Sequence, residues 1–187
     1  MAIKDILFLL DPEADSQPAA PFATAFADRL DAHLTAAGVV YEMLVPSGFT
    51  GDYPADIMAA LSEQSRQRNA SAYANLCKAG PASLRTELVE IDAIPGEARY
   101  ELARLARHFD LTIIAQPRER NSEDALMAES ALFESGRPVL FVPRVQNREP
   151  KLNRVIVAWD GSRTAARALA DARGVSEKAS AVAVVSI

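Results

Sequence analysis

Cysteine, histidine and tryptophan are scarce in this sequence, whose 187 residues include one cysteine, two histidines and one tryptophan. Because Cys77 is alone, no disulfide can form within the chain. Its position in a helical pattern favours a packed side chain. His33 and His108 have no further histidine or cysteine at ligand spacing, so we expect no metal site.

Positive charge is also in deficit, since the net charge is −5 at pH 7. This balance opposes general affinity for nucleic-acid backbones and anionic lipid, which require clustered lysine and arginine. No apolar run reaches the roughly 18–20 residues of a membrane-spanning helix, and charged residues interrupt the apolar N-terminus, unlike a signal sequence. We therefore expect a cytoplasmic protein without nucleic-acid or membrane partners.

The sequence does contain a repeat. Residues 3–11 (IKDILFLLD) return as residues 152–160 (LNRVIVAWD), each an apolar run closed by an aspartate. The period is far longer than the about 20–50 residues of solenoid repeats, which indicates a duplicated domain. We predict one domain over residues 1–143, a linker over 144–151, and an incomplete second domain over 152–187.

Strands and helices alternate through the first predicted domain. Phe22, Phe26, Leu30 and Leu34 recur at a spacing of four, which predicts a first helix that Gly38 ends. Further helices are predicted up to about Ala79, around residues 102–109, and from Ser122 to Gly136. The predicted strands cover residues 6–10, 39–45, 84–91, 111–115 and 139–142.

Continuous apolar strands that alternate with helices are typical of parallel sheets covered on both faces. The pattern predicts an α/β fold, a doubly wound parallel sheet of five strands with helices on both faces. Arg85 and Glu87 alternate with apolar residues in the third strand, which indicates an edge position. Ligands of such sheets bind at the carboxyl ends of strands where the strand order reverses, so we expect Asp11 and the loop after Ala115 at that crevice.

The repeat predicts a strand-helix-strand unit. Its strands cover residues 155–159 and 179–187, and Ser162 caps its helix. Ala165, Ala168, Leu169 and Ala172 form the predicted inward face of that helix. Such a unit is smaller than the ~40 residues below which isolated domains seldom fold, so we expect it to dock on the first domain or on a second chain.

Several separated segments resemble the universal stress protein family, of the tandem bacterial type. Asp160, Gly161 and Ser162 follow an apolar strand and precede an alanine-rich helix, and the first copy carries the same strand ending in Asp11. Residues 128–132 and 135–143 are similar to the last helix and strand of the first domain. The resemblance implies a Rossmann-like fold and a cytoplasmic, dimeric or tandem protein connected with stress.

The resemblance also implies a test for ATP binding. Family members that bind ATP carry a glycine-rich loop after the fourth strand, whose bare backbone N–H groups hold phosphates. Here that stretch, residues 115–124, contains no glycine, and Pro117 removes a donor. We interpret Arg118 and Arg120 as parts of a solvated loop, although their side chains offer another way to hold phosphate.

The candidate cofactor-binding residues are Asp11, Val45, Ala115, Asp160, Gly161 and Ser162. Each aspartate has an alternative role, in which it only accepts backbone hydrogen bonds at a helix start. We expect no catalytic residue, no metal and no certain cofactor, with ATP as the candidate ligand.

The predicted function is therefore that of a non-catalytic stress-response protein with a degenerate nucleotide site, acting by dimerisation or partner binding. The resemblance implies a homodimer through the edge of the fifth strand. Its residues are Val139, Leu140, Phe141 and Val142. The alternative is an adenine-nucleotide (ATP) binding protein or weak ATPase.

Overall fold

A computed structural model describes residues 2–11, 19–42, 55–119, 122–146 and 150–186. The strands are β1 (Asp5–Leu9), β2 (His33–Tyr41), β3 (Thr86–Ala93), β4 (Leu111–Ala115), β5 (Val139–Val142), β6 (Arg154–Trp159) and β7 (Ala181–Ser186). The helices are α1 (Ala20–Leu30), α2 (Ala55–Ala79), α3 (Ala98–Ala106), α4 (Glu123–Glu134), α5 (Arg163–Asp171) and α6 (Arg173–Ser176).

β1 to β5 form one parallel sheet in the order β3-β2-β1-β4-β5. With α1 to α4 they make the five-stranded unit. The chain moves outward from β1 to β3, then crosses back to β4 on the other side of β1. The predicted doubly wound α/β fold is confirmed, β3 lies at an edge as predicted, and the strand order reverses between β1 and β4.

β1 is apolar throughout because both of its faces are covered. Ile6 and Phe8 belong to one buried cluster, which includes Phe26 of α1 and Leu76 of α2. The intervening Leu7 belongs to a second buried cluster on the opposite face. Successive strand residues point to opposite faces, so helices on both sides demand an unbroken apolar strand.

The predicted first helix is wrong at its C-terminal end. α1 ends at Leu30, and Asp31 takes a left-handed conformation (φ 51°, ψ 48°) from which its N–H reaches the carbonyls of Ala27 and Asp28. Leu34 and Gly38 therefore lie in β2, where Leu34 is fully buried. Leu34 continues the spacing of four only by coincidence, because it packs into the core as a residue of β2 and not of α1.

Gly38 is required in β2 because α2 packs closely against it. A Cβ atom at this position would lie 2.5 Å from Cγ of Asn69, which is buried in α2. The Asn69 amide donates to the carbonyl of Val39 at 3.1 Å. Gly38 thus permits a helix-to-strand contact, rather than ending a helix as predicted.

Residues 152–186 form a second, two-stranded unit, in which β6 and β7 pair in parallel with α5 and α6 between them. This order agrees with the predicted strand, helix and strand. No residue of α5 is buried, so the predicted inward face (Ala165, Ala168, Leu169, Ala172) is half-buried or exposed. Leu152 and Val175 of this second unit pack against the first buried cluster of the five-stranded unit.

One polar contact also joins the two units, and a second joins the five-stranded unit to the segment just before residue 152. The Lys178 Nζ donates to the carbonyl of Arg29 at 3.0 Å, and the Arg29 guanidinium donates to the carbonyl of Pro150 at 3.3 Å. Cys77, predicted to be packed, has an exposed side chain on α2. None of the helices that the structure describes is long and apolar enough to cross a membrane.

Candidate functional site

A cavity of about 410 Å³ opens where β1 and β4 end, at the reversal of the strand order. We call it the strand-end cavity. The last residues of β1, β2 and β4 reach it, together with the first turn of α4 and the chain just after β5. Because parallel strands end at the same edge of a sheet, residues distant in sequence meet here.

Asp11 stands at the centre of the polar side of the strand-end cavity. Its carboxylate accepts hydrogen bonds from Nη2 of Arg118 at 2.7 Å to Oδ1 and 2.6 Å to Oδ2. Nη2 of Arg144 donates to the same Oδ2 at 3.2 Å. The Asp11 side chain is 13% exposed, so these ion pairs are better shielded from solvent than a surface pair.

Asp124 continues this ion-pair network. Its Oδ2 lies 3.6 Å from Nη2 of Arg144 and 4.0 Å from Nε of Arg118. Nε of Arg144 also donates to the carbonyl of Gln116 at 2.7 Å. Arg144 therefore connects the ends of β4 and β5 with Asp11, and each arginine faces two carboxylates.

The N-terminus of α4 forms another side of the strand-end cavity. Ser122 is the N-cap, and its hydroxyl oxygen accepts from the N–H of Ala125 at 3.3 Å. Glu123 and Asp124 occupy the first turn, where carboxylates compensate the positive end of the helix dipole. Glu123 Oε1 is buried, and none of the described residues donates a hydrogen bond to it.

The opposite side of the cavity is apolar. Leu9, Val39, Ile114 and Met127 are buried residues of the second core cluster, and Tyr41 packs against that cluster. The cavity thus combines an apolar wall with a charged rim, the usual composition of a small-molecule site.

The structure brings two of the predicted site residues together, since Asp11 and Ala115 both line the strand-end cavity. Val45 lies outside the described residues. Asp160, Gly161 and Ser162 form a separate turn after β6 and do not line this cavity. Among the described residues, the five-stranded unit and the turn after β6 therefore do not contribute to one site.

The turn after β6 is a local hydrogen-bonded structure. The N–H of Ser162 donates to Oδ1 of Asp160 at 2.8 Å, and Gly161 has a positive φ of 75°. Ser162, through its hydroxyl first and then its backbone N–H, lowers the pKa of Asp160 below its usual range. These contacts agree with the alternative role for Asp160, an acceptor of backbone hydrogen bonds.

Sequence reasoning missed Arg144 and undervalued Arg118. Arg144 falls in the predicted linker, but only Pro143 separates it from the end of β5 at Val142, which places it at the same sheet edge as Asp11. Arg118, interpreted as part of a solvated loop, is paired with Asp11. Arg120 lies outside the described residues. Proximity to the carboxyl end of a strand was the available signal for both arginines.

Several solved structures are similar to this chain. A universal stress protein from Archaeoglobus fulgidus DSM 4304 has a TM-score of 0.66 at 15% identity, over 97% of this chain and 65% of its own. Universal stress protein UspA from Lactobacillus plantarum has a TM-score of 0.53 at 18% identity, over 76% and 99%. A universal stress protein solved in complex with cAMP has a TM-score of 0.51 at 18% identity, over 77% and 99%.

At these identities the likeness is one of fold. The five-stranded parallel sheet with helices on both faces is the Rossmann-like fold of these universal stress proteins. Neither a protein-family model nor a curated protein matches the sequence.

Proposed function

We propose that this chain is a cytoplasmic, universal-stress-protein-like protein that acts without catalysis, by dimerisation or by binding a partner. The strand-end cavity is, in this proposal, a nucleotide site that no longer holds a triphosphate. The shared fold and the resemblance of several sequence segments support the family assignment. Fold alone does not determine function, so the proposal depends on the chemistry of the site.

One observation carries the proposal, the pairing of Arg118 and Arg144 with Asp11 and Asp124. Both guanidinium groups already have anionic partners, so binding phosphate requires breaking ion pairs. Residues 115–124 offer no glycine for close backbone approach. Glu119 and Glu123 also line the cavity and would repel a polyphosphate.

Calorimetric titration with ATP and Mg²⁺ tests this proposal. We expect that ATP does not bind the nucleotide-free protein saturably at concentrations up to about 1 mM. A Kd of that size corresponds to a binding free energy of only ~4 kcal/mol. Arg118→Ala and Arg144→Ala serve as paired variants, because any binding through these side chains would weaken in both. Micromolar binding of ATP would overturn the proposal, and weaker binding in both variants would show that the two arginines hold the phosphates.

The two edges of the five-stranded sheet support association through β5. The β3 edge carries Glu87, Glu90 and Asp92, and charged edge strands resist pairing with another chain. β5 is the short apolar strand Val139–Val142, and Phe141 is 38% exposed. The described residues place no strand beyond β5. We therefore propose a homodimer that pairs Val139, Leu140, Phe141 and Val142 with the same residues of a second chain.

Phe141→Pro tests the proposed dimer with little damage to the monomer. The N–H groups of Thr112 and Gln116 donate to the carbonyls of Pro138 and Val142, so the backbone of Phe141 points to the free edge. Proline is tolerated at such edge positions. We expect the dimer constant from sedimentation to weaken at least tenfold, with an unchanged thermal unfolding transition of the monomer. An unchanged dimer constant, or a monomeric wild type, would contradict the proposed interface.

The domain division also belongs to this proposal. Residues 1–143 form the universal-stress-protein-like domain, 144–151 the linker, and 152–187 an incomplete second copy. The matching topology of β1-α1-β2 and β6-α5-α6-β7 supports the duplication, since both are parallel strand pairs joined through helix.

The alternative function is adenine-nucleotide binding or weak ATPase activity. It is favoured by the position of the strand-end cavity at the reversal of strand order and by its ligand-sized volume of about 410 Å³. The complex of a similar protein with cAMP also favours it. ATP binding in the titration described above would establish this alternative.

A further inference from the structure

β6 and β7 pair in the same register as β1 and β2. Arg154 lies opposite Ala181 in one pair, and Asp5 lies opposite His33 in the other. Since successive strand residues alternate between the two faces of a sheet, each residue of β6 and β7 has a counterpart in β1 and β2 on the equivalent face. The structures that cover the first pair therefore indicate what kind of structure suits the second.

The edge of β1 that faces away from β2 is occupied by β4. The two strands run parallel, and Leu7 lies opposite Thr112. At the start of this pairing, the N–H of Asp110 donates to the carbonyl of Asp5 at 2.9 Å. A second parallel strand thus satisfies the backbone groups of β1 that β2 leaves unpaired.

The equivalent edge of β6 is open. The carbonyl of Asn153 faces β7, because it accepts from the N–H of Ala181 at 3.1 Å. Backbone groups alternate in direction along a strand, so three residues of β6 direct theirs to the opposite edge: Arg154, Ile156 and Ala158. Within the described part of the chain, no strand pairs with this edge. An open edge of this kind is a template for a strand from another chain.

The sheet face beside this edge is apolar and exposed. Its residues are Ile156 (73% exposed), Val185 (50% exposed) and the exposed alanines Ala158 and Ala183. We call these four residues and the open edge of β6 the β6–β7 face. The four counterparts in the five-stranded unit are all buried: Leu7, Leu9, Thr35 and Ala37.

Helices cover the counterpart of the β6–β7 face in the five-stranded unit. Leu7 and Ala37 belong to the second buried cluster, together with Leu102 of α3 and Met127 of α4. α4 follows β4 directly in the chain, so one strand-helix segment covers both the edge and part of the face. A segment of this type therefore fits the β6–β7 face.

The charge of the second unit favours an acidic segment. Arg154 is the one charged residue in the sequences of β6 and β7, and it takes the place of Asp5 in β1. Residues 152–186 contain five arginine and lysine residues against three aspartate and glutamate residues, a formal charge of +2. α4, by contrast, carries four carboxylates and no basic residue. Complementary charge steers partners together and disfavours wrong ones.

We infer that the β6–β7 face binds a partner polypeptide, an acidic strand-helix segment whose apolar strand adds in parallel to β6 and whose helix covers Ile156 and Val185. A second copy of this chain is a poor occupant, because its β4 and α4 already cover its own β1. The inference rests on the partner binding proposed above and names its surface and its kind of partner. Strand addition and helix docking are both known modes of peptide recognition.

A synthetic peptide of residues 109–136, which contains β4 and α4 and has an excess of acidic residues, is the probe. We expect it to bind the full chain saturably, with a Kd below about 100 μM by fluorescence anisotropy. Ile156→Asp should weaken binding about tenfold or more, because the helix would bury an unpaired charge. Ile57→Asp is the matched control, since Ile57 is 56% exposed on α2 of the other unit.

Hydrogen exchange and NMR locate the bound peptide. Saturation with the peptide should slow the exchange of the Ile156 and Ala158 amides and leave the Phe141 amide of β5 unchanged. A nitroxide at the N-terminus of the peptide should broaden the resonances of Arg154 more than those of Trp159, because the strands run parallel. The reverse order of broadening would contradict the proposed orientation.

Several results would overturn the inference. These are no saturable binding up to about 1 mM, equal peptide affinities of Ile156→Asp and Ile57→Asp, and protection of β5 in place of β6. A dimer of the purified chain that Ile156→Asp dissociates in sedimentation would make a second copy the occupant, and would also overturn it. If Ile156→Asp changes the circular dichroism spectrum, Ala183→Asp on the same face replaces it, with the same expected loss.

Failure of the inference is distinguishable from failure of the proposed function. The ATP titration and Phe141→Pro test the strand-end cavity and the β5 edge, and neither measurement involves the β6–β7 face. A peptide that does not bind leaves both of those results unaffected.

Discussion

β1 and β6 have similar sequences and very different surroundings. Four of the five residues of β1 are buried, whereas no residue of β6 is. Leu7 is fully buried, and Ile156, at the matching position of the repeat, is 73% exposed. β1 has a strand on each side and helices on both faces, while β6 pairs only with β7 among the described residues. An apolar run thus indicates a strand but does not itself create a core.

The aspartates that follow these two strands, Asp11 and Asp160, differ in their surroundings in the same way. Asp11 meets Arg118 and Arg144 because β4 ends beside β1, and β5 ends beside β4 at the same edge of the sheet. Asp160 accepts a hydrogen bond from Ser162, two residues away, and is exposed. A strand closed by an aspartate becomes part of a cavity only where neighbouring strands supply the other walls.

The largest expected difference between the two units concerns their apolar residues. Leu7→Ala should lower the free energy of unfolding by about 2–5 kcal/mol, because it leaves a cavity in a packed core. Ile156→Ala should lower it by less than about 0.5 kcal/mol, as expected for an exposed position. Urea unfolding followed by circular dichroism measures both. A cost above 2 kcal/mol for Ile156→Ala would show that this face of β6 is buried against another surface.

A smaller difference is expected at the helix caps, which are matched in geometry. Ser122 (φ −77°, ψ 161°) and Ser162 (φ −77°, ψ 162°) each accept from the N–H three residues on. Ser122→Ala should cost about 1 kcal/mol of global stability, because α4 covers the five-stranded sheet. Ser162→Ala should leave the global unfolding transition unchanged and loosen only α5. Equal costs in urea unfolding would mean that the two units unfold together.

The smallest effect concerns the pH dependence of the turn after β6. Ser162 lowers the pKa of Asp160, so folding favours the ionised carboxylate. The contribution of this turn is therefore present above the ordinary value of 3.8 and is lost as the pH falls through the lowered pKa. Carboxyl NMR titration should give a midpoint below 3.8, and Ser162→Ala should raise it. A wild-type midpoint at or above 3.8 would contradict the observed hydrogen bonds.

The order and type of most elements could be predicted from the sequence because short apolar runs mark strands, whether or not the strand is covered on both faces. The predicted β5 has the observed bounds, Val139–Val142, and the predicted helix from Ser122 to Gly136 corresponds to α4. The boundary between α1 and β2 could not be predicted. It depends on the left-handed conformation of Asp31. Glycine is the residue that usually signals this conformation at the end of a helix, and position 31 holds an aspartate.

The site was predictable only in part, for a physical reason. The prediction of Asp11 and Ala115 as site residues follows directly from the rule that ligands bind at the carboxyl ends of strands. The pairing of Arg144 with Asp11 depends on how closely the chain after β5 approaches β1, which is a tertiary property. A segment rich in proline and polar residues resembles a linker, and the only sequence signal for Arg144 is that it closely follows the predicted fifth strand.

Native-state hydrogen exchange tests most directly the central claim that the five-stranded unit is a completed core and the two-stranded unit is not. In the purified chain, the paired amides of β1, β2 and β4 should exchange only through global unfolding, while those of β6 and β7 should exchange at a clearly lower free energy. Equal protection of β1 and β6 would contradict the claim, because it would show that residues 152–186 share one cooperative core with the sheet or are covered by another chain.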